Sequence, residues 1–180
     1  MDLSNSWSGV RKRLERDLLC ESLRGRIQYF LTHYHGAPDD YGRFSLRVDG
    51  EEFIFAHPYN DLPVSRLSEQ VREEFGEARD WLTLDEEDPE RYETILREAD
   101  LRAIRCDQME IYHITRALRT YLNQPVQESI HSENPAVRMF AVLDRRVGKR
   151  TLRTLRSELD EQPPWLRPIY QLRFEAEGLL

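Results

Sequence analysis

The stretch RFSLRVDGEEFIFA, residues 43–56, alternates strictly before its Asp-Gly pair. Phe44, Leu46 and Val48 fall on one face and Arg43, Ser45 and Arg47 on the other, the period-2 signature of a half-buried strand. Asp49-Gly50 is the residue pair that accepts positive φ at both central positions of a type I′ turn. The spacing therefore predicts a hairpin, with EEFIFA (51–56) returning as its second arm. Upstream, RIQYFLTHYH (26–35) is dense in β-branched and aromatic residues and reads as a third strand, joined through GAPDDYG (36–42). Before it, Trp7, Val10, Leu14 and Leu18 recur at helical spacing with Ser6 as a possible cap, which predicts a helix over 6–19.

Downstream of Pro63 the period changes from 2 to 3.6. Val64, Leu67, Val71 and Phe75 form one stripe ended by Gly76, and Asp88-Pro89 opens a helix to about residue 98. Residues 107–122 carry Ile111, Ile114, Leu118 and Leu122 on one face. Asn134-Pro135 repeats the cap-plus-proline device, with Val137, Phe140 and Ala141 or Leu143 as its apolar side. After Gly148, Leu152, Leu155 and Leu159 stripe another helix, and Pro164 opens a last one stopped by Gly178. The fold class is α+β: a three-stranded antiparallel meander with flanking helices, followed by a helical C-terminal half. A helix-plus-sheet subdomain over 1–60 and a helical subdomain over 61–180 are expected to form one compact domain.

Of the 180 residues, 39% are hydrophobic and 33% charged, the composition of a polar globular protein. No apolar run approaches the roughly 18 residues that a membrane span needs, and no membrane partner is expected. The first residues lack a secretory apolar region, and two cysteines, Cys20 and Cys106, cannot build a disulfide framework. A cytoplasmic location follows as the expectation.

Charge is segregated. Residues 61–100 carry 14 acids and 5 cations, whereas residues 101–156 carry 11 cations and 5 acids, in a chain of net charge −7. The basic block culminates in LDRRVGKRTLRTLR, 143–156. Arg145 and Arg146 are expected to finish one helix, where cations complement the carbonyl end. Lys149 and Arg150 begin the next, where cations are disfavoured and free N–H groups attract anions. Something negative must offset them: the acidic 61–100 block, a partner's carboxylates, or a phosphate. Arg145, Arg146, Lys149, Arg150, Arg153 and Arg156 are the candidate anion- or partner-binding residues.

Other chemistry is thinner. Neither a G-x-S-x-G elbow nor a G-x-G-x-x-G turn occurs, and VGKRT fails as a P-loop because Leu143 stands where its first glycine belongs. The order helix, three strands, helix matches a double-stranded-RNA-binding domain. However, the second helix, DLPVSRLSEQVREEFGE, is acidic where phosphate contacts would be needed. His33 and His35 share a strand face, and His57 could join them as a third imidazole of a catalytic metal site. Glu110-x-x-His113 and Glu128-x-x-His131 have the spacing used in di-iron bundles, although chance accounts for both. The acidic run Asp85–Asp88 reads as a helix N-terminus.

Three segments, WSGVRKRLERDLL…SLRGRIQYFLTHYH, GRFSLRVDGEEF and NPAVRMFAVLDRRVGKRTLRTL, together resemble a family of small uncharacterised bacterial cytoplasmic proteins. The DRRVGKR element is the most specific part of that likeness. The resemblance implies a soluble bacterial protein with no established activity, cofactor or catalytic residue. Its pattern commonly has arginine where this chain has His35, which weakens the metal reading.

The residues point to a cytoplasmic protein, more a binder than an enzyme, that needs no cofactor. It would hold a macromolecule, foremost a protein partner, through the 145–156 cations. The alternatives are a nucleic-acid or phosphate-ligand binder using the same patch, and a metal-dependent hydrolase using His33, His35 and His57. Oligomeric state and partner identity are left open by the sequence.

Overall fold

The structure is a computed structural model that describes residues 7–33, 41–56 and 61–179. Helix α1 (Trp7–Lys12) continues as a π-helical turn over Arg13–Leu18, and a 3₁₀ turn (Glu21–Leu23) leads into the sheet. Strands β1 (Ile27–His33), β2 (Tyr41–Val48) and β3 (Glu51–Ala56) form an antiparallel meander in the order β1-β2-β3. The Asp49-Gly50 turn has φ of 53° and 88°, as a type I′ hairpin requires, and Asp49 is clamped by the Arg26 guanidinium at 2.7 Å. Phe44 and Leu46 are buried on the core face as the alternation demands. Phe53 is the extra residue of a bulge, since the register shifts between Leu46↔Ile54 and Arg47↔Glu52. On the outer face Ser45 is buried between Phe30 and Phe55, its direct cross-strand neighbours. The Arg47 and Arg43 guanidiniums cover those two rings at 4.4 and 5.2 Å.

Eight further helices follow among the described residues: α2 (Asp61–Glu74), α3 (Trp81–Glu87), α4 (Pro89–Arg105), α5 (Ile111–Asn123), α6 (Val126–Ile130), α7 (Pro135–Val142), α8 (Lys149–Ser157) and α9 (Arg167–Ala176). The α+β class and helical C-terminal half are those expected. Where a proline follows a cap residue the helix starts agree: the Asp88 carboxylate accepts from Arg91 N at 3.1 Å, and the Asn134 side chain accepts from Ala136 N at 2.9 Å, although α4 runs on to Arg105, past the end expected near residue 98.

The chain divides otherwise than by one cut at residue 60. One compact unit joins residues 1–59 to 109–180, and the second is 60–108. The first unit unites the sheet with the C-terminal helices through aromatic packing. The Phe140 ring of α7 stacks on Tyr29 of β1 at 5.9 Å and on Tyr121 of α5 at 5.7 Å, and meets Phe44 of β2 edge-on at 6.3 Å.

The second unit has its own small core: Val71, Leu84, Ile95 and Ala99, flanked by Phe75, Trp81 and Tyr92. Its acids find cations within the unit. Glu69 pairs with Arg72 at 2.6 Å, Glu74 with Arg102 at 2.5 Å, and Glu77 with Arg79 at 2.8 Å. The Arg79 guanidinium and backbone N–H hold the Glu77 carboxyl down to about 2. The run Asp85–Glu87 ends α3 and does not open a helix, a correction to the reading of 85–88. Asp80 caps α3, its carboxylate accepting from Thr83 N at 2.9 Å, and Asp88 alone of the acidic run caps α4.

Candidate functional site

The segment 143–156 is held by Asp144, whose side chain is fully buried. Its carboxylate accepts the Tyr121 hydroxyl at 2.5 Å, the Arg146 backbone N–H at 2.8 Å, and the Arg146 guanidinium at 2.6–3.0 Å. Burial and the Asp144 charge push the Tyr121 hydroxyl up, and the same carboxylate pushes the Arg146 guanidinium up. The proton therefore stays on both donors. The backbone is fixed as well. Leu19 and Asp144 form an antiparallel bridge, with Cys20 N donating to Leu143 O at 2.9 Å and Arg145 N to Leu18 O at 2.7 Å. Helix α7 has already ended at Val142, so Arg145 and Arg146 lie in a turn rather than on the last turn of a helix. The long-range bridge to Leu19 draws the chain off the helical path.

Gly148, in extended backbone, begins α8 without a side-chain cap. Leu152 and Leu155 bury one stripe of the helix. Lys149 is offset within its own unit, by the end of α9. Its ammonium donates to the Glu177 carbonyl at 3.0 Å and lies 3.8 Å from the Glu177 carboxylate. This places a cation at the carbonyl end of α9, which compensates for its position at the start of α8. The α9 terminus is closed by Gly178 at φ 67°, with Leu179 N bonding Phe174 O at 2.9 Å and Gly178 N bonding Glu175 O at 3.0 Å. Arg156 donates to the carbonyl of Leu179 at 2.5 Å.

Two of the side chains that complete the site were not singled out from sequence. Arg173, only 2% exposed, reaches Glu177 at 2.6 Å, Ser22 Oγ at 3.4 Å and the Val147 carbonyl at 3.1 Å. Glu177 also accepts the Ser22 hydroxyl at 2.9 Å. Their four-residue separation on one helix was a visible signal for the Arg173–Glu177 pair, but not for the loop that it ties down. Residues 20–22 and 145–149, with Arg173 and Glu177, line an open surface depression of about 640 Å³.

The six predicted cations thus divide. Arg146, Lys149 and Arg156 are committed to Asp144, Glu177 and Leu179. Arg145, Arg150 and Arg153 are exposed, and their side chains have no ion pair or hydrogen bond among the described residues. Arg145 lines the depression, and Arg150 and Arg153 project from α8.

A family model matches residues 6–174. The chain belongs to the SF0329 protein family. The SF0329 span includes the sheet, the Asp144–Arg156 segment and Arg173, and stops short of Glu177. No curated protein and no solved structure matches the chain.

His33 ends β1, whereas His35 and His57 lie outside the described residues, and among those described no group of three or more His, Cys, Asp or Glu could hold a metal ion. The Glu110-x-x-His113 spacing has a structural use instead. Glu110 accepts from the His113 backbone N–H while His113 Nδ1 accepts from Glu110 N at 3.0 Å, a reciprocal cap that opens α5. His131 sits at the C-cap of α6, so Glu128-x-x-His131 does not lie within a bundle helix. No described helix is long and apolar enough to cross a membrane.

Proposed function

We propose that this chain is a bacterial cytoplasmic protein that acts without catalysis, by binding an acidic segment of a protein partner through Arg145, Arg150 and Arg153. The carrying observation is that these three cations are exposed and uncommitted, on a segment whose other three cations fix its shape. Guanidinium groups are weakly hydrated planar forks that match carboxylates in pairs, and a pre-fixed backbone lowers the ordering cost of using them. The acidic 61–100 residues supply partners to their own arginines, which supports the reading that the free cations serve an external acid.

The test immobilises wild-type protein and the Arg145→Ala/Arg150→Ala/Arg153→Ala variant side by side and compares what each retains from a nuclease-treated native extract. The retained partner is then purified and its affinity measured for both. Rim ion pairs of about 0.2–1 kcal/mol each give an expected loss of roughly 3–150-fold for the triple change. A purified partner that binds both forms equally would contradict the assignment. So would retention seen from an untreated extract and lost from the nuclease-treated one, which would transfer the surface to nucleic acid.

A further inference from the structure

We draw no further inference here: the strongest candidate, the outer face of the sheet where Phe53 and Phe55 are 43% and 41% exposed beside the Arg43 guanidinium, carries nothing because nothing in the structure shows what covers it.

Discussion

Phe140→Ala is expected to remove about 4 kcal/mol from the stability of the unit formed by residues 1–59 and 109–180. The ring is 2% exposed and touches three aromatic neighbours drawn from β1, β2 and α5. Truncation deletes the transfer energy of a phenyl group and leaves a cavity between a sheet and a helix that cannot close without both moving. The stacked and edge contacts, each about 0.5–1.5 kcal/mol beyond area burial, disappear with it. Hydrogen exchange at the β2 amides reads the effect in the correct unit. Their protection should fall by about three orders of magnitude, since each 1.4 kcal/mol is tenfold. A fall of less than tenfold would show that sheet and C-terminal helices do not share a core.

The second large effect is expected at Asp144. Its removal strands a buried hydroxyl on Tyr121 and frees the Arg146 guanidinium, which is 44% exposed and can turn to water. Asp144→Ala should therefore cost about 2–3 kcal/mol, less than the roughly 3–5 of a wholly buried ion pair. Asp144→Asn, which keeps an acceptor for Tyr121, should cost less. Adding Tyr121→Phe to Asp144→Ala should restore part of the loss, because no buried hydroxyl is then left unpaired. Urea denaturation of wild type, Asp144→Ala, Asp144→Asn, Tyr121→Phe and the double variant checks the series. Additive losses for Tyr121→Phe and Asp144→Ala would contradict the bond between them.

What was legible in sequence was set locally. The Asp49-Gly50 turn, the Asp88-Pro89 and Asn134-Pro135 helix starts and the Gly178 stop each rest on backbone preferences of one or two residues. Helix α3 was hidden because it is only seven residues long and its acidic end, Asp85–Glu87, runs straight into Asp88-Pro89, so that its last residues resemble a start. The ends of the basic segment were misplaced for a different reason. Arg145 N bonds Leu18 O across the first unit, and no local pattern announces a bridge to Leu19. The conflict at Lys149 was legible, but its resolution was not, because Glu177 is 28 residues further on and arrives only through packing of α8 against α9. Composition thus located the candidate site, while tertiary structure separated its committed cations from its free ones.

That separation is tested most directly by thermal unfolding of the six single alanine variants of Arg145, Arg146, Lys149, Arg150, Arg153 and Arg156. Arg146→Ala leaves a buried carboxylate short of its cation and should lower Tm by about 4–8 °C. Lys149→Ala and Arg156→Ala, which lose partly exposed contacts, should fall between that value and wild type. Arg145→Ala, Arg150→Ala and Arg153→Ala should stay within about 1 °C of wild type, as surface changes that break no contact. If any of these last three lowers Tm as far as Arg146→Ala does, that cation is spent on the fold, and the binding surface proposed here is not free to bind.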